Sequence, residues 1–233
     1  GREEATGRGV VYVTMEALRH LKLDLHNCTV AIQGFGNVGS HTARIMHESG
    51  ARVTAVSDVT GGIYNSNGLN IPELLSRYKT KGQSLRDTKL GDWLSNDDLL
   101  QLDCTVLVPA ALSEQITERN AAKLRCRILA EGANGPTTLE ADHILHDKGV
   151  FVIPDILANS GGVIVSYFEW VQDVQRYFWK AQDIQSRLQD ILTSAFQRTL
   201  QFSVSRNTSM RMAALMSGID KVTQAHLHRG LHP

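Results

Sequence analysis

Between residues 29 and 155, short apolar runs alternate with helical stretches, and this alternation limits the fold more than any other feature of the chain. The runs at 29–33 (TVAIQ), 52–57 (RVTAVS), 104–108 (CTVLV), 127–130 (RILA) and 150–153 (VFVI) read as buried strands. Helices are expected at about 38–48, 71–78, 114–123 and 138–147, with Asp142 and His143 on the polar side of the last. Strands this apolar, separated by crossover helices, are covered on both faces. The expected fold class is therefore α/β, a doubly wound, mainly parallel sheet of the Rossmann type. The turn-rich stretch 61–70 (GGIYNSNGLN) suggests a short hairpin, and the polar stretch 79–100 reads as loop plus a short helix.

Helices bracket this core. Residues 7–21 place Val10, Val11, Met15, Leu18 and Leu21 near one face. Three more helices are expected at 160–179, 183–204 and 209–228, the middle one with apolar residues at helical spacing. The organisation predicted is one domain: a helical lead-in over 1–28, a Rossmann core over 29–158 and C-terminal helices over 159–233.

The turn after the first strand is Gly34-Phe35-Gly36-Asn37-Val38-Gly39. It fits G-x-G-x-x-G, a weak signal alone, but here a strand precedes it and a helix follows. Each glycine has its own reason. Gly34 permits a tight turn, Gly36 lets a pyrophosphate approach the backbone, and Gly39 lets helix and sheet pack closely. The helix N-terminus adds free N–H groups and a positive dipole end. Asp58 ends the second strand, and a carboxylate there suits ribose hydroxyls and repels a 2′-phosphate. Val59 and Thr60 bring no cation beside it. The expected cofactor is NAD, with NADP left open. A plain tight turn at the glycines and a solvated strand-end acid at Asp58 are the alternatives.

Three further polar clusters follow expected strands: Pro109-Ala110-Ala111, Glu131 to Pro136, and Asp155 to Gly162. In a parallel sheet these points share the carboxyl edge, where ligands bind. Asn134 and Asn159 each bring an amide that donates and accepts, suited to a nicotinamide carboxamide and its ribose. Turn asparagines beside glycine are the plainer reading of either one alone.

Composition excludes more than it selects. The 233 residues balance 24 basic against 24 acidic residues, so no basic excess points to nucleic acid or an anionic membrane. No apolar run reaches the roughly 18 residues of a membrane span. Cys28, Cys104 and Cys126 are widely spaced without a CxxC, which argues against zinc and against a disulfide framework. Buried reduced thiols fit a cytoplasmic protein without a structural metal. His226, His228 and His232 read as surface histidines. Phe168, Trp170, Phe178 and Trp179 are expected along one long helix, packing rather than stacking on a ligand.

Longer motifs carry a resemblance: GREEATGRGV at 1–10, QGFGNVG at 33–39, VSDVTGGIYN at 56–65, VPAAL at 108–112, EGANGPTT at 131–138, PDILANSGGVIVSYFEWVQ at 154–172 and the terminal RGLHP. Together they resemble the C-terminal, coenzyme-binding domain of hexameric glutamate dehydrogenases, within the glutamate, leucine, phenylalanine and valine dehydrogenase family. The resemblance implies roles. Thr6 touches the nicotinamide side, Asn37 and Val38 meet the pyrophosphate within the loop Gly34 to Gly39, and Asp58 and Val59 lie at the adenosine ribose. Ala110 lines the cleft, and Asn134 and Asn159 meet the nicotinamide and its ribose. Arg2, Val163 and Ser166 bind substrate, and the Ser166 hydroxyl suits glutamate where relatives acting on leucine or phenylalanine place an apolar group.

The implied reaction is reversible oxidative deamination of L-glutamate to 2-oxoglutarate and ammonia. In the family a lysine and an aspartate of an N-terminal substrate domain move the protons. None of this chain's lysines sits in a glycine-rich setting like that lysine's, so no catalytic residue is assigned. The chain reads as a fragment that binds dinucleotide without catalysis. A hexamer is implied for the parent enzyme, and a monomer or dimer for the fragment. A stand-alone NAD-binding regulatory module and a dehydrogenase of another amino acid are the competing readings.

Overall fold

The computed structural model describes residues 1–78 and 84–230. Numbered in chain order, the helices are α1 (Arg2–His20), α2 (Asn37–Glu48), α3 (Ile71–Tyr78), α4 (Asn96–Leu100), α5 (Glu118–Ala121), α6 (Leu139–Asp147), α7 (Asp155–Ala158), α8 (Gly161–Gln175), α9 (Ala181–Arg206) and α10 (Met210–Arg229). The strands are β1 (Thr29–Gln33), β2 (Arg52–Asp58), β3 (Gly61–Tyr64), β4 (Asp92–Leu94), β5 (Val106–Pro109), β6 (Ile128–Ala130) and β7 (Phe151–Ile153). They form one sheet in the order β4-β3-β2-β1-β5-β6-β7. From β2 to β7 every pairing is parallel, while β3 and β4 add an antiparallel edge.

Side-chain alternation builds a core on each face of the sheet. Val30 and Ile32, Val106 and Val108, and Ile128 and Ala130 face α1, α2 and α9. Ala31, Leu107, Leu129 and Val152 face the other way, toward Leu99, Ala121, Ala141 and Leu145 on α4, α5 and α6. The helices dock through stripes: α9 buries Leu188, Leu192 and Phe196 at successive i, i+4 positions. Side-chain oxygens start several of them. Ser95, Thr138 and Ser209 accept from backbone N–H groups at the N-termini of α4, α6 and α10.

Three short-range contacts bind the lead-in helix to the core. Gly7 of α1 lies against the first turn of α2, where an added Cβ would stand 2.8 Å from His41 Cβ and 2.9 Å from Val38 O. Gly9 meets the Cα of Gly161 on α8, 3.2 Å from where a Cβ would sit. A Cβ on Gly161 would collide with the Ala5 carbonyl oxygen. The glycines of the ATGRG segment are therefore a close-packing device between three helices.

Several expectations change. Helix α1 begins at Arg2, five residues before the expected start, and Thr6 lies inside it. The stretch 114–123 holds only the four-residue α5, because Ile116 is drawn into a bridge with Thr137. Within the described part of 79–100 the short helix is present as α4, and an unexpected edge strand, β4, pairs with β3. Residues 79–83 lie outside the described residues, as does His232. Helix α8 stops at Arg176, in the left-handed region at φ 52°, so Phe178 and Trp179 are not on one helix with Phe168 and Trp170. Phe168 and Trp179 do pack, with ring centroids 5.5 Å apart, but Trp170 and Phe178 are exposed. Asp142 is not on a polar face: it is buried and ion-paired with Arg211, while His143 is exposed.

All three cysteines are buried free thiols, and burial pushes the Cys126 thiol up to about 12. Among the described residues no helix is long and apolar enough to cross a membrane.

Candidate functional site

β1 leads through α2 to β2 on one side, while β5 lies on its other side, so the winding reverses between β1 and β5. At such a switch point the loops leaving the two strands diverge and open a crevice at the carboxyl edge. Gly34 turns the chain out of β1 at φ +93°, with its backbone close under the Ala110 carbonyl that follows β5. A Cβ on Gly39 would collide with the Gly34 carbonyl oxygen, so this glycine serves packing. Gly36 is different. A Cβ there would meet none of the described residues within 4 Å, and φ −74° is ordinary for any residue. Among the described residues, nothing requires glycine at 36. Gly36 is the N-cap of α2 and brings no side-chain cap, so the first-turn N–H groups of the helix have no capping side chain from it.

Beside the loop lies an open cleft of about 760 Å³. Thr6, Val38, Ala110, Asn134, Asn159 and Val163 all line it, which brings together residues spread over most of the chain. The two asparagines meet directly, Asn159 Nδ2 donating to Asn134 Oδ1 at 2.5 Å. Sequence reasoning passed over Ser113, Ile156 and Ser160 as individual cleft residues, although Ile156 and Ser160 fall within a flagged cluster.

The remaining expected site residues divide. Asn37 Nδ2 donates to the Glu3 carbonyl at 2.8 Å and fastens α2 to α1. The Phe35 side chain is buried, edge-on to Tyr78 at 5.2 Å, so it belongs to the core. Val59 is 97% exposed. Asp58 accepts from Thr60 N at 2.7 Å, from Thr60 Oγ1 at 2.6 Å and from Leu85 N at 2.9 Å. Burial and this same carboxylate push the Tyr78 phenol above its ordinary value. Arg2 is paired with Glu169 at 2.8 Å across an exposed surface. Arg2 precedes Thr6 by four residues on α1, and Ser166 follows Val163 by three on α8, and neither is in the lining of the cleft. Sequence reasoning missed the ion network behind the asparagine loops, where Arg211 of α10 meets Glu131, Asp142 and Asp155.

A second cavity, of about 450 Å³, lies at the opposite end of the sheet around Lys148, Phe151 and Met210. Two of its polar groups serve the fold: Lys148 Nζ donates to the Ala122 and Leu124 carbonyls, and Ser209 caps α10.

A parallel sheet with a glycine turn after its first strand and an open crevice at its switch point defines a nucleotide-binding domain of the Rossmann class. Comparison with known proteins narrows this. The model of the Glutamate/Leucine/Phenylalanine/Valine dehydrogenase family matches residues 1–230, and the chain belongs to that family. It is 44% identical over 230 residues to the catabolic NAD-specific glutamate dehydrogenase RocG of Bacillus subtilis, covering 99% of this chain and 54% of the relative. It is 46% identical to a glutamate dehydrogenase of Thermotoga maritima, covering 100% of this chain and 56% of that one. Among solved structures, the hetero-hexameric glutamate dehydrogenase of Thermus thermophilus in its Leu-bound form superposes with a TM-score of 0.93 at 31% identity, covering 100% of this chain and 55% of that one. The chain thus spans about half the length of the curated relatives it matches.

Proposed function

We propose that the chain is the coenzyme-binding half of a glutamate dehydrogenase, which converts L-glutamate reversibly to 2-oxoglutarate and ammonia, and that it takes NAD in preference to NADP. The observation that carries this reading is the empty space over Gly36 at the start of α2, continuous in the chain with a cleft lined by two amides. A glycine with no internal reason to be glycine, at a helix N-terminus without a side-chain cap, fits the close approach of a pyrophosphate. The first N–H groups of α2 would hold its oxygens. On the other lip, the Asn159–Asn134 bond uses one donor and one acceptor. Asn159 Oδ1 and Asn134 Nδ2 remain to orient a carboxamide or ribose. When bound, the nicotinamide ring supplies the carbon that accepts hydride. Thr6 and Val163 flank the place where that ring would lie.

Three observations support glutamate and NAD. Ser166 offers a hydroxyl on α8, one turn beyond Val163, where an apolar group would suit an apolar substrate. At the far end, the Asp58 carboxylate accepts from three protein donors, and no basic side chain follows it at Val59 or Thr60 to hold a 2′-phosphate. RocG, which shares 44% of its residues with the chain over the matched region, is NAD-specific by name.

Calorimetric titration of the purified chain with NAD and with NADP tests the reading. NAD is expected to bind about tenfold more tightly, and Asp58→Ser to narrow the gap. Tighter binding of NADP would overturn the cofactor assignment, and binding of neither would overturn the site.

A further inference from the structure

The loops that carry Asn134 and Asn159 are held from behind by one side chain. Arg211, in the first turn of α10, reaches under both. Its Nη2 donates to Glu131 Oε1 at 2.6 Å and its Nε to Asp142 Oδ1 at 2.9 Å, while Nη1 stands 3.7 Å from Asp155 Oδ1. Glu131 is fully buried and opens the loop that presents Asn134. Its second oxygen accepts from the backbone N–H of Asp155, the residue that starts α7 and leads to Asn159, at 2.8 Å. Asp155 in turn accepts from the Gly135 N–H at 2.7 Å, which closes the ring between the two loops. Burial pushes the Glu131 carboxyl up, and the Arg211 guanidinium opposes it; burial would lower Arg211, but Glu131 and Asp142 hold it well above its ordinary value.

We propose that Arg211 is a positioning residue for the nicotinamide half of the cleft: through Glu131 and Asp155 it sets the spacing of the two loops, and so the geometry of Asn134 and Asn159. Several features carry this. The two asparagines touch at 2.5 Å, so a small relative shift of the loops breaks their alignment. Both loops bond to the same buried carboxylate or to its partner. The planar fork of arginine satisfies two carboxylates at fixed angles, which a lysine does not. Asp142 anchors the guanidinium to α6, so the fork has a fixed base. The contribution to binding is indirect, since Arg211 does not line the cleft.

The inference rests on the cleft's being a dinucleotide site, and the test separates the two. The chain, Arg211→Met and the double variant Arg211→Met/Glu131→Gln are titrated with NAD and with ADP, which lacks the nicotinamide riboside. Arg211→Met leaves Glu131 and Asp142 buried without their cation, and the double variant removes the more deeply buried of these two charges, which limits simple unfolding. The unsubstituted chain must bind NAD more tightly than ADP; if it does not, the reading of the cleft fails first. Given that preference, both variants are expected to lose about tenfold in NAD affinity and to keep ADP affinity within about twofold. An equal loss for NAD and ADP, or an unchanged ratio with only a lower melting temperature, would overturn the positioning role.

Discussion

Gly36 and Gly39 lie three residues apart in one motif, yet the structure gives them opposite reasons. Gly39 has the Gly34 carbonyl against its α-carbon, while Gly36 faces open space. The two reasons predict separable phenotypes. Gly39→Ala is expected to destabilise the fold by about 1–3 kcal/mol through overpacking, visible as an earlier urea midpoint. Gly36→Ala is expected to leave stability unchanged or slightly raised, since its backbone angles suit alanine, and to lower NAD affinity at least tenfold by occupying the approach to the α2 N–H groups. Normal NAD binding by the Gly36 variant would remove the argument for a pyrophosphate there. The motif itself was legible from sequence because strand, turn and helix are local. The sequence could not say which glycine serves the fold and which the ligand, because the Gly34–Gly39 and Gly34–Ala110 approaches are matters of packing.

At the scale of elements, a single carboxylate joins three helices. Glu4 of α1 accepts from Arg8 at 2.7 Å, from Arg44 of α2 at 2.5 Å and from Gln185 of α9 at 3.1 Å. Burial would raise its pKa, but the two guanidinium groups hold it below the ordinary 4.5. A depressed acid stabilises the fold above its unfolded pKa, and the stabilisation is lost as pH falls through the folded value. Glu4→Gln is therefore expected to cost about 1–3 kcal/mol at neutral pH, and the gap between variant and parent should narrow steadily as pH falls below the ordinary 4.5. Urea melts at several pH values measure this, and a gap constant down to pH 3 would contradict it. Element positions were legible to a comparable degree. The five parallel strands β1, β2, β5, β6 and β7 and helix α9 followed from periodicity, whereas the edge strand β4 did not, and the break before α10 fits Asn207, a residue tolerant of the left-handed φ of 48° it adopts. The end of α8 did not follow, because Arg176 adopts the same region without belonging to the residue types that favour it. Nor did the burial of Asp142, since its partner lies 69 residues away on α10. A charge at that separation reads as a solvated surface until the fold brings the two together.

For the whole molecule, the lining of the cleft decides what chemistry is available. Thr6, Val38, Ala110, Asn134, Asn159 and Val163, with the neighbouring glycines, alanines, serines, Leu112 and Ile156, bring no side chain that titrates near neutrality. Oxidative deamination needs a base to activate water and a group to move protons between water, imine and ammonia. The strongly perturbed groups nearest the cleft, Glu131 and Arg211, are engaged with one another behind the loops rather than facing the cleft. On the proposed reading this lining would hold and orient a dinucleotide, while none of its side chains supplies proton transfer. The chain by itself is therefore expected to bind NAD, but neither to reduce NAD with glutamate nor to oxidise NADH with 2-oxoglutarate and ammonia, at any pH between about 6 and 9, the range in which a tuned lysine or carboxylate would act. The assay requires protein free of host dehydrogenase, and Gly36→Ala serves as its internal control. Turnover that this substitution abolishes would belong to the chain and would mean that a proton donor outside the cleft lining reaches the substrate. Turnover that survives it would belong to a contaminant.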